Sequence, residues 1–313
     1  MKSFAAIYIP YIKRSLFFEE SADKYGSMYI ENFGATRKLI FKNNPSGTFP
    51  KFSFKDTKST SISNHVYLDW VKQCILQIQQ GSFSKLVAAQ YEVEGIDSKI
   101  LDWNNLFQKL IDRLPNTFVY LFYLENELWL GASPELVGMV EDSVFTTISL
   151  AGTRREEDFT AKEVEEQSIV SQFISSQFTE KNVNTEETTR ILAFGSIQHL
   201  VNKYSYEIND AFDFEKTIHV IHPSPALSGM PKEKSLDFIL SNEPIQRAFY
   251  SGLVSLTIDE KKYSFATIRC ARFSANQVRY YAGAGITKDS DPQAEWEETL
   301  MKMEVLKKAI FSD

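Results

Sequence analysis

Cysteine and histidine are scarce in this chain of 313 residues, with two Cys and four His. Cys74 and Cys270 stand alone, without a second ligand at metal spacing. Neither a metal-thiolate site nor a disulfide framework is expected, and a reduced, cytoplasmic setting fits. No apolar run approaches the roughly 20 residues that a membrane-spanning helix needs, so no membrane partner is expected. The N-terminal MKSFAAIYIPYIKRSLFFEE carries an early Lys, but Tyr, Pro and Lys interrupt its apolar stretch and no small-residue cleavage site follows. It does not read as a signal peptide. The net charge is −7 and no block of Lys and Arg is present, which argues against a nucleic-acid partner. There is no glycine-rich phosphate loop after a strand and no Ser/His/Asp or Cys/His arrangement.

What the chain does have is apolar mass, 43% hydrophobic and 13% aromatic, enough for a large core. Helical spacing predicts helices over residues 67–80, 103–113, 160–180 and 233–241, the third capped by Thr160 with Val164, Ile169, Phe173 and Ile174 on one side. Strand patterns are read at 5–9, 38–41, 52–54, 83–91, 117–123, 127–131, 136–140 and 144–150. Later ones follow at 188–193, 198–201, 204–208, 249–257, 264–273 and 277–282. Strands in runs, with single helices inserted and hairpin-length links, predict an α+β fold with mainly antiparallel sheets. No linker-like composition cuts the chain. One domain is read, with residues 1–64 as a peripheral β-rich part and residues 65–313 as the core.

Residues 281–302, YAGAGITKDSDPQAEWEETLMK, read as a strand end, a glycine-punctuated loop and the opening of a helix. Gly283 and Gly285 suit a sharp turn or a close ligand approach. Asp289, Ser290 and Asp291 are candidate N-caps, and Pro292 suits the first turn. Glu295, Glu298 and Lys302 then fall on one helical face. Glu163 and Glu166 repeat the same i, i+3 pairing on an earlier helix. Two such pairs supply hard oxygen donors of the kind Mg²⁺ takes, although paired carboxylates are also common solvated features. Lys85 interrupts a strand that should be mostly buried, and its local reading is an outward-facing lysine. Glu135 follows the turn in GASPE and reads locally as a solvated carboxylate. Arg269 in ATIRCAR alternates with apolar neighbours. A buried Arg there needs an anionic partner, either a substrate carboxylate or a structural one such as Glu243.

Taken together, the motifs resemble the chorismate-binding enzyme family. They are SKLVAAQ, GASPELV, LAGTRR, KEVEEQ, IQHL, HPSPALSGMP, EPIQRAFYSGLV, ATIRCAR and the stretch from Tyr281, in family order over about residues 65–310. The resemblance implies two stacked halves with antiparallel sheets inside and helices outside. It implies Mg²⁺ on Glu166 and Glu298, with Glu163 and Glu295 supporting. Thr153, His199, Arg269, Tyr281, Gly283, Gly285 and Lys302 match residues that hold the substrate, and Lys85 and Glu135 match the base and the acid. Lys85 is the most discriminating position, because the ammonia-using branch of the family usually carries Gln there. The implied activity is that of an isochorismate synthase serving menaquinone or siderophore synthesis, with no glutaminase subunit. A salicylate synthase, an amine-forming subunit and a non-catalytic relative are the alternatives. The chain departs from the family pattern at Gln90, at Gln167 and in the shortened segment before KEVEEQ.

Overall fold

The computed structural model describes residues 3–22, 26–45, 47–155, 158–178, 184–185 (backbone only) and 189–312. One line of antiparallel pairings takes in every strand among them. Its first half runs β13 (Gly229–Met230), β5 (Lys85–Gly95), β17 (Gln277–Ile286), β16 (Cys270–Phe273), β7 (Glu127–Ser133), β6 (Phe118–Leu124), β1 (Phe4–Ile9) and β2 (Arg14–Glu20). Its second half runs β3 (Met28–Glu31), β14 (Gly252–Ile258), β15 (Lys261–Thr267), β8 (Leu136–Glu141), β9 (Val144–Arg154) and β12 (Ile197–Glu207). The last of these also pairs with β11 (Arg190–Phe194) and β10 (Asn184–Thr185). Strand β4 (Lys38–Asn43) pairs with both β2 and β3 and so joins the halves.

The two halves bury one face of each against the other. Their shared core takes Ala5, Ile7, Tyr120 and Tyr281 from the first half and Leu136, Phe145, Val254 and Phe265 from the second. Phe118 of β6 stacks on Phe265 of β15 with centroids 4.2 Å apart, a contact worth about 0.5–1.5 kcal/mol beyond its buried area. Helices cover the outside. Helices α2 (Trp103–Arg113) and α6 (Pro292–Phe311) pack with β6, β7 and β17, and α1 (Asn64–Gln79) and α5 (Lys232–Asn242) with β5 and β17. Helix α3 (Ala161–Ser176) lies on β9 and β12, and α4 (Phe214–Ile221) on β8. Ser63, Asp102, Asp213 and Asp291 each cap a helix through a backbone N–H in its first turn. The α+β, two-half architecture is the one expected. No helix among the described residues is long and apolar enough to cross a membrane, and both cysteines are free and buried.

Several local readings change. The sequence places residues 1–64 at the periphery, yet β1 lies between β2 and β6 with Ala5, Ala6 and Ile7 fully buried. Residues 283–286 are not a loop: they continue β17 in register with β5. The strand expected over 264–273 breaks at Ile268-Arg269, where Arg269 takes a φ of +51°. The two strands expected over 198–208 are one, β12. Residues 52–54 form no strand, and Phe52 and Phe54 instead pack their rings on Trp103 and Tyr123. Helix α3 is buried along only part of the apolar line read from its sequence, at Phe173 and Ile174. Val164 is exposed, while Glu163, Glu166 and Gln167 are buried with Val170, Phe173 and Ile174.

Candidate active site

The inner faces of β5 and β17 are nearly stripped of side-chain bulk. Val87 and Ala89 of β5 lie opposite Gly285 and Gly283 of β17. This leaves a narrow cleft, partly open to solvent, between the strands and the helices beside them. Nine residues singled out from sequence line it: Glu135, Thr153, Glu166, His199, Arg269, Tyr281, Gly283, Gly285 and Lys302. They come from β9, β12, β17, α3, α6 and the segments flanking β8 and β16, so folding alone brings them together.

Lys85 is fully buried at the start of β5 and does not line the cleft. It sits behind Glu166, with Nζ 2.9 Å from Oε1, an ion pair whose angle is too poor for a directed hydrogen bond. The outward-facing reading of Lys85 is therefore excluded. Burial works against ionisation of Glu166, but Lys85, then Lys302 and Lys162, hold its pKa below the usual carboxylate range. Gly285 makes the pair possible. A Cβ there would overlap Glu166 Oε1 and lie 2.9 Å from Lys85 Cε. The glycine is required for space and not for a turn, since its backbone is extended.

Glu135 is buried across the cleft, where Ser224 Oγ donates to its Oε1 at 3.3 Å. Burial pushes its pKa up to about 7, against the opposing pull of Ser224, Lys85, Arg269 and Lys302. A carboxyl so placed holds its proton near neutral pH, as a general acid must.

Arg269 is buried, its Nη2 donates to His199 Nε2 at 2.9 Å, and its Nε has no hydrogen-bond partner. Among the described residues no carboxylate lies within ion-pair distance of it. The structural alternative, Glu243, is taken by Arg247 through contacts of 2.6 and 2.7 Å. Burial pulls the Arg269 pKa down to about 10. A desolvated guanidinium without a counter-charge, aimed into a cleft, is a receptor for an anion. Its left-handed backbone, which costs about 1–3 kcal/mol in a non-glycine residue, is a strain of the kind that gathers at functional sites. His199 Nδ1 faces Gly152 O at 2.9 Å, so the hydrogen bonds assign a neutral ring with the proton on Nδ1. Burial, Arg269 and Lys302 all lower its pKa. Gly152 takes a φ of +68°, the turn that brings its carbonyl to the histidine.

Lys302 Nζ donates to Gly283 O at 2.8 Å and pairs with Glu298 at 2.5 Å. Tyr281 lines the cleft with its ring, stacked against Trp129 and Tyr250 at centroid distances of 5.3 and 5.7 Å. Its hydroxyl has no hydrogen-bond partner. Tyr250, unread in the sequence, also lines the cleft. Its OH is the nearest atom to the empty Cβ position of Gly283, at 3.0 Å. The Tyr two residues before the glycine in AFYSG was the available signal.

Glu295 is fully buried on α6 and receives Lys162 at 2.5 Å, while its Oε2 has no partner. Burial and Glu298 push its pKa up to about 7. Glu163 is committed elsewhere. It accepts from Thr160 N at 2.8 Å and pairs with Arg154 at 3.1 Å, closing the capping box that starts α3. Glu298 lines an adjoining cavity with Thr153, Arg154, Lys162 and Met301. No three metal-ligating side chains converge among the described residues. Two carboxylates from facing helices, with an orphaned carboxylate oxygen beside them, fit Mg²⁺, which keeps several waters and accepts substrate oxygens. The family positions that depart from pattern are filled structurally. Gln90 reaches Thr299 of α6, and Gln167 bonds Ser149 and Asn202.

Comparison with known proteins identifies the family and the fold. A family model described as chorismate binding enzyme matches residues 17–311. The isochorismate synthase EntC of Escherichia coli K12 is 29% identical over 66% of the chain and 57% of its own length. Anthranilate synthase component 1 of Aquifex aeolicus is 27% identical over 82% of the chain and 55% of its own length. The chain thus spans little more than half the length of these curated relatives. The solved structure of MenF, the menaquinone-specific isochorismate synthase from Escherichia coli, superposes with a TM-score of 0.80 at 17% identity, covering 99% of this chain and 89% of that one. The fold is shared.

Proposed function

The chain belongs to the chorismate-binding enzyme family, and from that premise we propose that it is an isochorismate synthase that adds water to chorismate at ring carbon 2 with loss of the hydroxyl at ring carbon 4. The observation that carries the reading is Glu135, raised to about 7 in the cleft wall, together with Glu166, which lines the same cleft and has Lys85 paired behind it.

The roles follow from the chemistry of each group. Arg269, oriented by His199, receives one substrate carboxylate, and Lys302 and Gly283 frame the wall beside it. Glu166 and Glu298 are the residues that would hold Mg²⁺, which when bound supplies charge neutralisation for a substrate carboxylate. Lys85 takes a proton from the attacking water as the new bond to ring carbon 2 forms. The ring double bonds shift, the bond from ring carbon 4 to its hydroxyl breaks, and Glu135 gives that oxygen its proton. One water enters and one leaves, so the product is an isomer of the substrate.

Incubation with chorismate and Mg²⁺ tests this reading. Isochorismate without pyruvate is the expected result. Stoichiometric pyruvate with salicylate would assign the lyase activity of a salicylate synthase instead, and no turnover would leave only a binding protein.

A further inference from the structure

Lys162 is the second residue of α3, in the first turn, where the helix dipole disfavours a cation. Its side chain crosses to α6. There Nζ lies 2.5 Å from Glu295 Oε1 and 3.9 Å from Glu298 Oε2. The neighbouring acids are covered in the same way, Glu166 by Lys85 and Glu298 by Lys302. Each of the three acids therefore has a lysine against it in the seam between α3 and α6. The three lysines are not equivalent. Lys85 is fully buried and Lys302 is anchored to Gly283 O, whereas Lys162 keeps 26% of its side chain exposed. It lines the adjoining cavity of about 500 Å³ with Arg154, Glu298 and Met301. Among the three it is the one with room to leave, on a flexible four-carbon stem.

We propose that Lys162 is a tethered internal cation that occupies the acidic seam between α3 and α6, and that it is displaced into the adjoining cavity when a divalent cation binds at Glu166 and Glu298. The inference rests on the reading of those two glutamates as cation ligands. Lys162 then lowers the affinity for free Mg²⁺ while holding the two helices together in its absence. The competing role is a fixed one, in which Lys162 only orients Glu295 as a supporting acid, and it has the opposite sign: losing the lysine would then weaken the metal.

Calorimetric titration of the full chain with Mg²⁺ alone, without substrate, separates the two. Lys162→Met is expected to bind Mg²⁺ about tenfold more tightly than the parent, given the repulsion of a unit charge a few ångströms away. Lys162→Arg is expected to stay near the parent. Mg²⁺ binding to the parent with equal or weaker binding to Lys162→Met would overturn this inference alone, and absence of binding to both proteins would sink the cation site and the inference together. Amine-reactive labelling of the unmodified chain, read by mass spectrometry, decides the matter should Lys162→Met fail to fold. Labelling at Lys162 is expected to rise several-fold on adding Mg²⁺, and unchanged or lower labelling would overturn the proposal.

Discussion

The carboxylate of Glu166 passes through the space that a side chain on Gly285 would fill: a Cβ there would stand 2.7 Å from the carboxyl carbon. Gly285→Ala must therefore displace Glu166, Lys85 or both. The expected loss in kcat/KM is at least about 100-fold, the scale on which ångström displacements act at a reacting centre. Stability should fall by only about 1–3 kcal/mol, the usual range for an overpacked site. Steady-state kinetics beside urea unfolding of the same variant provide the check. A variant with near-parental kcat/KM would show that the close approach of these two residues has no catalytic role.

Glu135, with Glu295, is one of two acids raised to about 7 that shape the pH dependence. Its pKa is about 7 in the folded protein against an ordinary value of 4.5. Between those values the folded state holds a proton that the unfolded state has lost, so this group's contribution to stability falls as pH rises from 4.5 through 7. As the general acid it must be protonated, so kcat/KM should decline with an apparent pKa near 7 on the basic side. Glu135→Gln should lose about 10²–10⁴-fold in kcat, the usual worth of general acid–base catalysis. A profile flat from pH 6 to 9, the window around about 7 in which a carboxyl so raised would titrate, would remove Glu135 from that role.

Two buried arginines should respond in opposite ways. Arg247 donates to Leu227 O and Val87 O and is paired with Glu243. Arg247→Met strands a buried carboxylate and should destabilise by about 3–5 kcal/mol. Arg269 has no carboxylate partner, so Arg269→Met should leave the substrate-free protein as stable as the parent or more so. Its KM for chorismate should nonetheless rise about 10–100-fold, the equivalent of about 1.5–3 kcal/mol for hydrogen bonds to a charged group. Thermal unfolding of both variants and the KM of the second distinguish the two roles, and a large loss of stability in Arg269→Met would mark it as structural.

Much of this was legible in the sequence because it depends on local pattern. Helix α2 falls at 103–113 as its spacing predicts, and the cap and Pro292 place the start of α6. The glutamate pairs at i, i+3 put their carboxylates where two helices face each other. The parts that were not legible depend on what faces a residue across the fold. An apolar stripe on α3 would normally be its buried side, but Glu163 turns in to the helix cap and Arg154, Glu166 to the cleft and Gln167 to Ser149 and Asn202, while Val164 is left in solvent. Glycine in β17 reads as turn chemistry until Glu166 is seen against it. Strands β2 and β3 and helix α4 went unread because their sequences are short and mixed in polarity. The break at Arg269 leaves no mark on an alternating pattern.

The central claim is that water, activated by Lys85, is the nucleophile at ring carbon 2. Turnover of chorismate in ¹⁸O-labelled water, with Mg²⁺ and ammonium both present, tests it most directly by mass spectrometry of the first product formed. The account predicts isochorismate carrying one heavy oxygen, no amino product, and no product from Lys85→Ala even though that variant still binds chorismate. An amino product, an unlabelled isochorismate, or parental turnover by Lys85→Ala would contradict it.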